Sequence, residues 1–144
     1  MNEIITTNWV GAMSFDSEID GHKLHFDAEE QFGGTHNGPR PKPVVLSALA
    51  ACTGMDVVSI LRKKQVNFTS FSIIAEGEVS EGFPKYYQKI RLVYTLTGAG
   101  FKDNEDIRVK VTRSVRLSRD NYCAVSAMLK GSCDITDEIV LLDS

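Results

Sequence analysis

The most constraining feature of this chain is the stretch from Pro43 to Lys64, whose first half is apolar almost all round: Val44, Val45, Leu46, Ala48, Leu49, Ala50 and Ala51. A helix that is apolar on every side needs cover on every side, so the rest of the chain is expected to build around it. Beyond Asp56 the pattern becomes amphipathic. Val57, Val58, Ile60 and Leu61 stand against Arg62, Lys63 and Lys64, and the basic end suits the negative pole of the helix. The stretch is long enough to raise the question of a membrane span. Asp56 near its middle is costly in lipid, and no second apolar stretch exists to shelter it. A buried core helix is the expectation, with no membrane partner.

The flanking segments supply the cover. Residues 4–15 are rich in β-branched and aromatic types and predict one strand. Asp20-Gly21 is a hairpin signal, followed by alternating residues through Phe26. Residues 28–43 hold Gly33-Gly34, Gly38, Pro39, Pro41 and Pro43, which makes them a long loop. Loops of this length in compact domains are often functional. Strands are predicted over 71–79 and 87–97, joined through Gly82 and Pro84. A helix is predicted over 103–119 with Asp103 as its N-cap. A break at Asn121-Tyr122 precedes a short helix over 123–129, closed by Gly131, and a final strand covers 137–142. This order is α+β with antiparallel hairpins. At 144 residues it fits a single domain over 1–144.

A formal net charge of -3 gives no footprint for nucleic acid. Arg108, Lys110, Arg113, Arg116 and Arg119 form a basic helix face without interleaved aromatics, which reads as solvated surface. The glycines of the loop do not follow a strand into a phosphate-binding pattern. Met1-Asn2-Glu3 opens no signal peptide, so a cytoplasmic location is expected. In that reducing compartment cysteines are more often free or redox-active than bridged. There are three, Cys52, Cys123 and Cys133, with no CxxC and no zinc-finger spacing, so neither a metal nor a cofactor is expected. A cysteine on an apolar helix is by itself most often a small buried hydrophobe.

Two motifs change that weighing. Gly38-Pro39-Arg40-Pro41-Lys42-Pro43 leads into Ala50-Ala51-Cys52-Thr53-Gly54-Met55-Asp56-Val57, and Tyr122-Cys123-Ala124-Val125 follows at a distance. Together with the element order they resemble the two signatures of the OsmC/Ohr family. The resemblance implies an α+β sandwich of antiparallel sheets around a long buried central helix, in an interlocked homodimer with active sites at the subunit interface. It implies a thiol-dependent peroxidase that reduces organic hydroperoxides in oxidative stress defence and is reset by a dithiol reductant. By motif Cys52 is the peroxidatic and Cys123 the resolving thiol, while Arg40, Met55 and Asp56 fall on the substrate side. Cys133 matches no motif, and His36 reads as a solvated loop residue.

The sequence departs from the family's peroxidases at two points. The turn Pro41-Lys42-Pro43-Val44 has no glutamate, and no arginine precedes Arg40. Arg40 or Lys42 is left to take that part, with Glu29 or Glu30 to orient it. The alternative reading is a non-catalytic protein of the same fold that binds a small apolar or thiol-reactive ligand at the dimer interface. Asp56, one turn beyond Cys52, needs a buried partner in either case.

Overall fold

The structure is a computed structural model that describes residues 1–144. It divides into two compact units, Met1–Val45 and Leu46–Ser144.

The first unit is a three-stranded meander of β1 (Thr6–Gly11), β2 (Ser14–Ile19) and β3 (His22–Phe26) in that order. The single strand expected over 4–15 is therefore two. The chain reverses at Gly11 and Ala12, which take φ of 114° and 46°. Glycine tolerates such angles and alanine rarely does, so Ala12 hides the turn from a propensity reading. The Trp9 indole N–H donates to the Ala12 carbonyl at 2.9 Å and holds the reversal. The Asp20-Gly21 turn is as expected, with Ile19 paired to His22 and both turn residues at positive φ.

The long loop is organised by one carboxylate. Asp27 is 2% exposed. It accepts from the Ala28 amide at 2.7 Å, the Thr35 hydroxyl at 2.7 Å, and the Thr35 and Asn37 amides at 3.2 and 3.1 Å. The Thr35 hydroxyl contributes most to holding Asp27 well below its ordinary pKa of 3.8, and the amides add to it. A depressed carboxyl pKa stabilises the fold above the unfolded-state value and is lost on acidification. Amide protection across residues 28–37, corrected for the intrinsic slowing of exchange in acid, is therefore expected to be high at neutral pH and to fall as pH drops below 3.8. Asp27→Ala should show the low protection already at pH 7, checked by hydrogen exchange with mass spectrometry.

The central helix α1 (Pro41–Lys63) starts within its proline-rich lead and runs into the second unit. Its full burial is confined to Leu49, Thr53, Val57 and Leu61, one stripe at four-residue spacing. The expectation of burial on every side is thus not met within one chain, where Met55 is 73% exposed. At 23 residues and hydropathy 2.0 the helix has the length and composition of a membrane span. Its stripe nevertheless shares one core with Leu92, Tyr94, Leu96, Val111 and Val115, where each buried aliphatic side chain contributes about 1.5–3 kcal/mol.

That core is closed by a sheet of β4 (Ser70–Val79), β5 (Tyr87–Gly98) and β6 (Asp134–Asp143), with β5 in the middle. The α+β class is as expected. The one departure from antiparallel pairing is β6, which runs parallel to β5 from Lys89↔Asp134 to Gly98↔Asp143. Parallel neighbours need a crossover, here supplied by α2 (Glu105–Leu117), a wide π-type turn (Ser118–Tyr122) and α3 (Ala124–Leu129). Asn104, not Asp103, caps α2 by accepting from the Ile107 amide at 3.1 Å. Asp103 sits at φ 61°, in the left-handed region. The last helix ends on Lys130 in a right-handed conformation rather than on a left-handed Gly131.

Candidate redox site

The site lies in the second unit, where α1, the π-type turn and β5 supply its parts. Cys52 is half-buried on α1, next to buried Thr53. The turn Ser118–Tyr122 ends α2 and leaves Cys123 in extended backbone at φ -72° and ψ 106°. Cys123 then caps α3, with the Ser126 amide donating to its Sγ at 3.4 Å. The Cys123 side chain is 2% exposed. None of the three cysteines is joined to another in a disulfide. Burial is the largest of the effects that push the Cys123 thiol up to about 11; the Ser126 amide opposes it, and the nearby Cys52 thiol adds to it. The two motif cysteines are therefore side-chain neighbours.

A row of hydroxyls lies beside them. Tyr94 Oη and Thr53 Oγ1 are 3.0 Å apart, Thr53 Oγ1 and Ser118 Oγ 2.9 Å, and Ser118 Oγ and Asp56 Oδ2 2.8 Å. Asp56 thus has the buried hydroxyl partner that its place in the helix requires. Burial, above all, raises the Tyr94 phenol, and its charge neighbours include Asp137, Arg119 and Cys123.

Arg119, inside the turn, pairs with Asp137 of β6 and donates to the Ile135 carbonyl at 2.6 Å. Burial pushes Asp137 up and Arg119 pulls it back. Arg119 Nε and Asp137 Oδ1 are both buried without a hydrogen-bond partner.

The predicted site residues divide accordingly. Cys52, Cys123 and Asp56 come together. Met55 instead lines an apolar groove of about 870 Å³ with Ala51, Gly54, Val58, Phe71 and Ile73. Arg40 lies in the first unit and pairs with Glu29 at 3.4 Å. The His36 amide is bonded to the Ala28 carbonyl within the loop. Cys133 is buried and donates to the Leu129 carbonyl at 3.4 Å, a structural placement. Thr53, Tyr94, Ser118, Arg119 and Asp137 escaped the sequence reading. Only Arg119 left a trace there, four residues before Cys123, in a position read as helix surface.

Comparison with known proteins bears on the family and the fold. The family model described as OsmC-like protein matches residues 34–138. Protein YhfA of Escherichia coli (strain K12) is 32% identical over 129 residues, which cover 89% of this chain and 90% of that one. The crystal structure of a hypothetical protein from Aquifex aeolicus VF5 superposes with a TM-score of 0.83 at 24% identity, covering 100% of this chain and 98% of that one. An organic hydroperoxide resistance protein OsmC from Legionella pneumophila superposes with a TM-score of 0.67 at 17% identity, covering 97% of each chain. The likeness to both solved structures is one of fold.

Proposed function

The chain belongs to the OsmC-like protein family, and from that premise we propose that it is a thiol-dependent peroxidase acting on organic hydroperoxides through Cys52 and Cys123. What supports this reading is the pair of motif cysteines, one on α1 and one at the end of the turn after α2, near enough for the Cys52 thiol to help raise the Cys123 thiol and not joined in a disulfide.

The Cys52 thiolate attacks the terminal oxygen of the hydroperoxide. The O–O bond breaks, the alkoxide takes a proton and leaves as the alcohol, and Cys52 becomes a sulfenic acid. Cys123 then attacks the sulfenic sulfur. A disulfide forms, and the displaced hydroxyl leaves as water with the Cys123 proton. A dithiol reductant returns two electrons and two protons by exchange. Of the two sulfurs, Cys52 is the more exposed, so the reductant enters there.

We place the protein in the cytoplasm, where thiols are kept reduced, and as a homodimer. Uncovered apolar side chains in each unit support the dimer: Trp9, Val10 and Met13 in the first, and Met55 at the groove in the second. Arg40 and Met55 belong to the substrate side of this assembled site.

A second reading keeps the fold and drops the turnover. The first turn of α1 carries no acidic residue, and the groove of about 870 Å³ has the size of a small-molecule site. One experiment separates the two. With one equivalent of tert-butyl hydroperoxide, thiol mapping by mass spectrometry is expected to find a Cys52–Cys123 disulfide and consumed peroxide. Two free thiols with the peroxide intact would leave only the ligand-binding protein. Dihydrolipoyl and thioredoxin-type dithiols are then compared as reductants.

A further inference from the structure

We propose that Ser118 is the positioning residue that brings Cys123 to Cys52. This role rests on the reading of the two cysteines as a redox pair, and it names the group that makes them one.

Ser118 is fully buried at the point where α2 widens into the π-type turn. Each of its polar ends is engaged. Its carbonyl accepts from the Cys123 amide at 2.7 Å, the bond that closes the turn and sets the Cys123 backbone. Its hydroxyl lies 2.8 Å from Asp56 Oδ2 and 2.9 Å from Thr53 Oγ1. Asp56 and Thr53 flank Cys52 on α1, one immediately after it and one a turn further on. A single side chain thus ties the turn that ends in Cys123 to the helical turn that carries Cys52.

A carboxylate oxygen only accepts, so the Ser118 hydroxyl donates to Asp56. The same hydroxyl is within hydrogen-bond distance of Thr53 Oγ1, which is also paired with Tyr94 Oη at 3.0 Å. The row ends on a carboxylate, the strong kind of hydrogen-bond acceptor. Losing the Ser118 hydroxyl takes from half-buried Asp56 its hydroxyl donor and from buried Thr53 one of its two partners. That price falls on the turn rather than on the sheet. A π-type turn is an uncommon geometry that occurs mostly as a single turn at functional sites, and this one needs the tie to hold its last residue in place.

The test oxidises the thiols without peroxide. Diamide takes two electrons and two protons from a thiol pair and leaves a disulfide and the hydrazine. In the wild-type protein it should form the Cys52–Cys123 disulfide in preference to mixed products. Ser118→Ala should slow that step by about tenfold or more, the cost of a misplaced reacting group, and shift the product toward adducts on Cys52 alone. Ser114→Ala is the control. Ser114 is equally buried, but its hydroxyl bonds only the Lys110 carbonyl of its own helix at 2.8 Å, so its rate should match wild type. If Ser118→Ala does not fold, Thr53→Val and Thr53→Ser carry the same test: valine should slow the step and serine restore it.

Equal disulfide rates in wild type and Ser118→Ala, or in Thr53→Val and Thr53→Ser, would overturn the proposal. So would a wild-type protein in which diamide never joins the two cysteines. A protein that forms the disulfide with diamide but ignores hydroperoxide sinks the peroxidase reading and leaves the role of Ser118 standing.

Discussion

Cys123→Ser protein should consume a first equivalent of organic hydroperoxide per chain rapidly and a second slowly, and then stop. The first step needs only Cys52, so stopped-flow consumption of the first equivalent should match wild type. Without a second thiol the sulfenic acid has no intramolecular exit and climbs the irreversible ladder to sulfinic acid. Steady turnover with a dithiol should fall by roughly 100-fold or more, the effective-concentration advantage of a tethered thiol being at least that large. Intact mass after excess peroxide should show two added oxygens on Cys52. Retained turnover in this variant would remove Cys123 from the mechanism.

The pH dependence follows from the Cys123 thiol. Its pKa is raised to about 11, so near neutrality about one molecule in ten thousand carries the thiolate. Sulfenic acid capture should therefore quicken about tenfold per pH unit between pH 7 and 10. Folding stability runs the other way. A thiol that holds its proton more tightly when folded stabilises fully below its ordinary value of 9.0, and that contribution drains away as pH rises toward 11.

The largest expected effect on stability comes from Arg119→Ala. It leaves Asp137 buried without its cation, against β6, and removes a donor from the Ile135 carbonyl. Breaking a mostly buried pair from one side costs about 2–4 kcal/mol, roughly 10 °C in Tm for a chain of this size. Because burial already raises the Asp137 carboxyl, the deficit should shrink on mild acidification, as Asp137 takes a proton and the unpaired charge disappears. Pairing Arg119→Met with Asp137→Leu should recover most of the loss. Thermal denaturation at pH 7 and pH 5 checks all three statements.

Local chemistry made much of this molecule legible. Asp20-Gly21 announced its turn, Gly82 and Pro84 announced the connection between β4 and β5, and the apolar run at 44–51 announced the central helix. The two cysteine motifs located the thiols. Other features left no local mark. Ala12 turns the chain at an angle that alanine seldom adopts. The direction of β6 depends on the crossover before it, not on its own residues. The row from Tyr94 to Asp56 is built of ordinary hydroxyls whose partners lie far away in sequence, so Thr53 and Ser118 look like any helix residue until the fold joins them. No arginine precedes Arg40, while the half-buried Arg119 of the second unit lies downstream in the turn that delivers Cys123.

The parallel seating of β6 on β5 also sets a timetable. Antiparallel strands zip from a shared turn, but β5 and β6 share none, so their pairing waits until the whole segment between them has closed as a loop. Contacts of that range form late and slowly. The turn bearing Cys123 belongs to the same segment, so the two thiols meet only when it is in place. A chain still folding carries isolated cysteines, each open to oxidation and neither able to rescue the other. On the proposed reading, the pairing of the two thiols is therefore gained at the final stage of assembly, and any partial unfolding that frees the crossover forfeits it first.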